Sequence, residues 1–225
     1  MTRYDISRSQ LAELLEGEPK YRLDQIWHGI HGQFREPEDL TNVPKELRSA
    51  IRDLLPAALT PIRNISSDGE TTVKQLWQLH DGHLVESVLM HYKDRSTVCI
   101  SSQAGCAMAC SFCATGQMGF DRHLSTGEIV EQVVRAMQQS QTKRVSNVVF
   151  MGMGEPLANF DNVWPAVRRI NSDLGIGARK ITVSTVGVVP GIQRLSLETL
   201  PVNLAVSLHA ANDKLRNQIA PINRT

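Results

Sequence analysis

Every cysteine in this chain lies between positions 99 and 113, as Cys99, Cys106, Cys110 and Cys113. That placement limits the fold more than any other feature. Disulfides stabilise by closing loops in the unfolded chain, and a bunched set closes none of useful length. The core must come from apolar packing, with the thiols displayed on a loop that the core supports. Clustered thiols without a secretory leader point to metal or redox chemistry in a reducing, cytoplasmic setting. The first residues, Met1-Thr2-Arg3-Tyr4-Asp5, have no apolar stretch of the leader kind.

With 225 residues, 41% of them hydrophobic, the chain can build one sizeable domain and a smaller one. No apolar run approaches the ~18 residues of a membrane span, so no membrane partner is expected. A net charge of +1 neither announces nor excludes nucleic acid, because basic patches act locally.

The pattern divides the chain in three. Residues 1–62 read as a small helical domain. Ser9 is a plausible N-cap for the first helix. Tyr21, Leu23, Ile26, Trp27 and Ile30 share a face, as do Leu47, Ile51, Leu54 and Leu55 after Pro44. Residues 63–95 form a β-hairpin extension, with strand-like runs at 72–80 and 83–91 joined at Asp81-Gly82. From the strand at 97–100 onward, strand and helix alternate, counting four βα units over 96–225, an α/β pattern. Ser125-Thr126-Gly127-Glu128 is a capping box that opens a helix. The apolar strand 145–151 suits a parallel sheet covered on both faces. A helix over 161–174 carries Pro165 near its first turn, and strands follow at 181–185 and 202–208. Four such units do not close a barrel and leave an unpaired edge. The ending Ala220-Pro221-Ile222-Asn223-Arg224-Thr225 then suggests a fragment, or a chain whose partner covers that edge.

Cys106, Cys110 and Cys113 have the spacing C-x3-C-x2-C. Three thiolates can hold three irons of a [4Fe–4S] cube and leave the fourth open. Structural zinc is the competing reading, with His123 as a fourth ligand, although zinc sites more often join two separated pairs.

The surrounding residues carry a more specific signal. Cys99-Ile100-Ser101-Ser102-Gln103-Ala104-Gly105-Cys106 leads into the cluster, and Cys113-Ala114-Thr115-Gly116-Gln117-Met118-Gly119-Phe120 leads out of it. Phe112 stands just before the last cysteine. Then follow Phe150-Met151-Gly152-Met153-Gly154-Glu155-Pro156, Thr182-Val183-Ser184-Thr185 and Ala205-Val206-Ser207-Leu208-His209-Ala210. In this order they resemble the RlmN/Cfr family of radical S-adenosylmethionine (SAM) enzymes, which methylate C2 or C8 of adenine in RNA. The likeness runs over essentially the whole chain and is greater to the C2 type.

The resemblance implies a partial radical SAM (β/α)6-type barrel with a [4Fe–4S] cluster on Cys106, Cys110 and Cys113. It implies SAM held by Gly154, Glu155, Ser184, Ser207, Leu208 and His209. Glu86 matches the family's proton acceptor, and Cys99 the cysteine that resolves a covalent protein–RNA intermediate. Taken singly, each has a plainer reading: Glu155 as a turn-capping acid, Ser184 as a backbone partner, His209 as a loop residue, Cys99 as a small buried hydrophobe, Glu86 as an exposed hairpin carboxylate. The substrates implied are 23S rRNA in the peptidyl-transferase centre and tRNA at the adenine following the anticodon. A flavodoxin or ferredoxin donates electrons, and the enzyme is a cytoplasmic monomer. In the family a methyl-carrying cysteine lies beyond the part matched here, so this chain is expected to bind a cluster without methylating RNA. The alternatives are a C8 methyltransferase of the Cfr kind, another radical SAM enzyme, and a zinc-stabilised RNA-binding protein.

Overall fold

The computed structural model describes residues 1–140 and 144–224; Thr225, part of the terminal run noted above, lies outside the described residues. The N-terminal helices are α1 (Arg8–Leu14), α2 (Tyr21–Trp27) and α3 (Lys45–Leu54). A capping box from Ser7 and Gln10 starts α1, so the cap is Ser7 and not Ser9. Between α2 and α3, a turn of π-helix at His28–Gly32 continues α2 and buries His31 against the Trp27 ring, 3.9 Å between centroids.

Seven strands form the main sheet: β1 (Thr60–Ser67), β2 (Thr72–Gln78), β3 (Leu84–His91), β4 (Ser96–Cys99), β7 (Val145–Phe150), β8 (Ile181–Thr185) and β9 (Asn203–Val206), in that spatial order. The first three pairings are antiparallel and the last three parallel. The extension is therefore three strands, with β1 added to the expected hairpin. Gly82, at φ +89°, makes the β2–β3 turn and donates to the Leu79 carbonyl. Arg122 ties this turn to the rest of the molecule by bridging Asp81 to Glu128. A small second sheet pairs β5 (Gln103–Gly105) with β6 (Phe120–His123), and the short α4 (Ala114–Met118) lies between them.

Each parallel strand is followed by a helix: α5 (Thr126–Gln139), α6 (Phe160–Ser172), α7 (Val189–Ser196) and α8 (Asp213–Ile219). This is the expected run of four βα units, an α/β architecture with β9 at one edge. The Ser125–Glu128 capping box opens α5 as read from sequence. Pro165 sits inside α6, beyond its first turn. It is tolerated there because it faces solvent, as does Asp161, whose carbonyl it leaves without a helical partner.

The sheet is covered on one face only, contrary to the two-sided burial expected of 145–151. Val148 and Phe150 are buried toward α5 and α6, whereas Met151 is half exposed and Asn147 and Val149 are partly exposed. The same alternation marks β2, β3 and β8. The N-terminal helices, the extension and the βα segment share one continuous hydrophobic cluster. Polar joints fix the N-terminal segment to α5 and α6. Asp5 accepts from the Gly127 N–H at 2.6 Å, and the buried Glu131 accepts from the Ala58 N–H at 2.7 Å. Arg169 donates to the Tyr4 and Ile6 carbonyls.

Candidate cofactor site

The thiol loop, 106–119, is displayed between β5 and β6. Gly105 enters it at φ +74°, and a Cβ there would collide with the Gly119 carbonyl. The same carbonyl accepts from the Cys106 N–H at 2.7 Å and closes the loop. Inside it, Cys113 N–H donates to the Cys110 carbonyl and Ala109 takes a left-handed φ of +50°. The Ser111 N–H reaches the Ile219 carbonyl, docking the loop on the end of α8.

Cys106, Cys110 and Cys113 all line one cavity of about 360 Å³, at the carboxyl ends of the parallel strands. That volume lies in the range of small-molecule sites, and strand carboxyl ends are where α/β sheets gather ligands. The opposite wall is the turn after β7. Gly152 packs so closely on Ile100 that an added Cβ would sit 2.8 Å from its carbonyl oxygen. Gly154, at φ +97°, would meet Gln103 at 2.5 Å. Both glycines are required by backbone approach.

Glu155 follows, buried, with its carboxylate accepting from the Leu157 N–H at 3.0 Å and the Val186 N–H at 2.8 Å. It caps the short helical turn at 156–159, as the plain reading held, and also lines the cavity. Burial pushes its pKa up, against those backbone donors and the Thr185 hydroxyl. Ser184 likewise serves both readings: its hydroxyl donates to the Phe150 carbonyl while it lines the cavity. Ser207 and His209 complete the wall, with the His209 ring 4.3 Å from that of Phe112. Leu208 is 64% exposed and does not line the cavity.

Burial also raises the Cys106 and Cys110 thiols, and repulsion from Glu155 and the neighbouring cysteine sulfurs adds to it. Such thiols ionise when a cation arrives to hold them. Among the described residues, no three His, Cys, Asp or Glu side chains are placed to hold a metal ion. His123, the supposed fourth zinc ligand, is turned to Gln103 at 3.0 Å. Three thiols lining one cavity, on a loop of C-x3-C-x2-C spacing, are a donor set that a [4Fe–4S] cluster could use.

Glu86 and Cys99 lie outside this lining, on the same uncovered face of the sheet. Cys99 pairs with Val88, two residues from Glu86, so both side chains point to that face. Burial pushes the Cys99 thiol up to about 11, opposed by a hydrogen bond from the Met151 N–H. Met151 itself borders the cavity, which places Cys99 next to its floor.

The radical SAM superfamily profile matches residues 100–225. A radical SAM methyltransferase of solved structure from Sphaerobacter thermophilus is 45% identical, with a TM-score of 0.95 over 100% of this chain and 68% of that one. The chain belongs to the radical SAM superfamily. A probable dual-specificity RNA methyltransferase RlmN from Corynebacterium efficiens is 51% identical over 97% of this chain and 62% of its own length. One from Salinispora tropica is 50% identical over 98% and 63%. The chain thus spans about three fifths of the length of these curated relatives.

Several residues around this cavity and Glu86 went unread in the sequence. Lys74 on β2 pairs with Glu86, Nζ to Oε1 2.7 Å. Its only sequence signal is a polar position alternating with buried Val73 and Gln75. Ser101 joins Glu86 to the cofactor turn, its hydroxyl donating to the Glu86 carbonyl at 2.6 Å and accepting from the Met153 N–H at 2.9 Å. The buried Gln132 bonds both the N–H and the carbonyl of Ser101. Gln103 accepts from the Glu155 N–H at 2.8 Å. No local pattern marks such long-range partners.

Proposed function

We propose that this chain is the cluster- and SAM-binding part of an RNA methyltransferase of the RlmN type, acting on C2 of adenine in 23S rRNA and in tRNA. The observation that carries the reading is the convergence of the three cysteines with Gly154, Glu155, Ser184, Ser207 and His209 on one cavity. Cys99 and Glu86 stand on the adjoining uncovered face.

In this reading Cys106, Cys110 and Cys113 hold three irons of a [4Fe–4S] cluster, leaving one iron for SAM. When bound, cluster and SAM supply the radical chemistry that the electron-poor C2 of adenine requires. Gly154 and Glu155 orient the SAM methionine group; the glycine lets backbone approach it and the carboxylate accepts from its ammonium. Ser184, Ser207 and His209 hold the rest, with Leu208 contributing backbone only. Glu86 takes the C2 proton while Lys74 holds its carboxylate. Cys99 stays a neutral thiol until it is called on to release product. The four cysteines are then all assigned, and the methyl carrier is not among them. RNA enters over the uncovered sheet face, helped by basic residues of the N-terminal helices (Lys20, Arg22, Lys45, Arg48, Arg52). The protein works in the cytoplasm with a flavodoxin- or ferredoxin-type donor.

The test is anaerobic reconstitution with iron and sulfide, reduction, and EPR spectroscopy with and without SAM. A [4Fe–4S] signal that changes on adding SAM is expected. A chain that takes up zinc in place of iron, or a cluster indifferent to SAM, would sink the reading.

A further inference from the structure

One cation of the site has no role in the account above. Arg216 on α8 is half-buried and sends its guanidinium across the rim of the cavity. Its Nη2 donates to the Val186 carbonyl, just past β8. Its Nε donates to the Leu208 carbonyl, just past β9, at 3.2 Å. Its Nη1 donates to Asn223 Oδ1. All three acceptors are neutral, so this positive charge is not spent on a carboxylate.

Two consequences follow. The first is geometric. The Val186 N–H is bonded to Glu155, and Ser207 and His209 flank Leu208 in the chain. One rigid fork therefore joins the ends of β8 and β9, two strands that line the cavity through Ser184, Thr185, Ala205 and Val206. The second is electrostatic. The guanidinium is held on the Val186 carbonyl, Val186 and Cys110 belong to one small buried cluster, and the Ser111 N–H docks the thiol loop on the end of α8, so the charge stands beside the thiol loop. A cluster held by three thiolates is anionic and gains negative charge on reduction, and net nearby charge is one of the levers on its potential.

We propose that Arg216 is a positioning residue of the cofactor site: its fork fixes the β8 and β9 ends around SAM, and its charge holds the cluster's reduction potential up. This rests on the cluster reading above. The assay uses the reconstituted chain and two readouts other than turnover, the cluster's midpoint potential and the dissociation constant for SAM. Arg216→Gln removes charge and fork; Arg216→Lys keeps the charge alone. Loss of the fork is expected to weaken SAM binding by about tenfold or more in both variants, the effect of losing one strong charge-assisted bond. The potential is expected to move more negative in the Gln variant and to stay at the wild-type value in the Lys variant. A loaded Gln variant with the wild-type potential, or with wild-type affinity for SAM, overturns the proposal. Should the Gln variant fail to hold a cluster, the Lys variant decides. Weakened SAM binding at the wild-type potential supports the assignment, and unchanged binding overturns it. A wild-type chain that takes up no cluster defeats the functional reading itself, a result distinct from any of these.

Discussion

Replacing Gly105 by alanine tests the architecture of the thiol loop most directly. The residue lies at φ +74°, where an L side chain costs about 1–2 kcal/mol. The added Cβ would also overlap the Gly119 carbonyl oxygen and sit 3.1 Å from the Phe120 Cα, both backbone atoms that cannot rotate away. The carbonyl must move, and it is the acceptor of the 2.7 Å bond that closes the loop. Losing that bond adds about 1 kcal/mol. The sum, about 2–3 kcal/mol, corresponds to a fall in Tm of roughly 4–12 °C for a chain of this size. Gly119→Ala is the control: φ is +86° there too, but no atom lies within 4 Å of the new Cβ. It should cost only about 1–2 kcal/mol for the backbone. The assay is iron bound per chain after anaerobic reconstitution, with thermal unfolding alongside. Gly105→Ala should lose most of its iron while Gly119→Ala retains it. Equal iron and equal Tm in the two variants would refute the argument that this close approach shapes the loop.

Three further outcomes are expected. His31 is buried against Trp27, and burial, with Arg169 nearby, holds its pKa down at about 3. A depressed histidine contributes stability that is full above its unfolded pKa of ~6.5 and is lost as pH falls toward 3. At pH 5 the loss is about 2 kcal/mol relative to pH 7. Urea unfolding at both pH values should show it in wild type but not in His31→Phe; equal pH slopes would count against it. Cys99, raised to about 11, should carry roughly a hundredfold less thiolate at pH 8 than a thiol at 9, and iodoacetamide should label it correspondingly slowly in a Cys106→Ala/Cys110→Ala/Cys113→Ala background; labelling at the rate of an unhindered thiol would contradict the burial. The Lys74–Glu86 pair is partly exposed at both ends, so Lys74→Met should change stability by under about 1 kcal/mol, and a Tm drop of roughly 6 °C or more would show instead that the pair holds the sheet together.

The parts legible in the sequence are those whose cause is local. The Ser125–Glu128 box and the Asp81-Gly82 turn each act within a few positions, and the structure has both. The cysteine spacing is local as well. What the sequence concealed depends on distant pairing. β1 is exposed along its whole length, with Pro61 near its start, so it has no alternation to betray it; backbone pairing with β2 makes it a strand. β5 and β6 are three and four residues long and exist because they clasp the thiol loop. Ser101, Gln132 and Arg216 look like ordinary polar residues in sequence, and only the folded chain brings them to Glu86, Met153 and the β8 and β9 ends.

The one-sided burial of the sheet bears directly on function. Along β2, β3, β4, β7, β8 and β9 the residues turned from the helices include Lys74, Glu86, Cys99, Asn147, Thr182, Ser184 and Asn203, each partly or fully exposed. Burying such a row under apolar side chains would cost roughly 1–3 kcal/mol for each polar group left without a partner. Leu76, Val88 and Val149 stand among them, so the face suits a partner that has both apolar and polar surface. A nucleobase with its phosphates is a partner of that kind, offering acceptors to Lys74 and donors to Glu86. Cys99 and the rim of the cavity border the same face, so in the proposed function a base laid on it would lie next to the cofactor site. In the function proposed above, the departure of β7 from an apolar, doubly covered strand is what sets polar side chains beside the cavity.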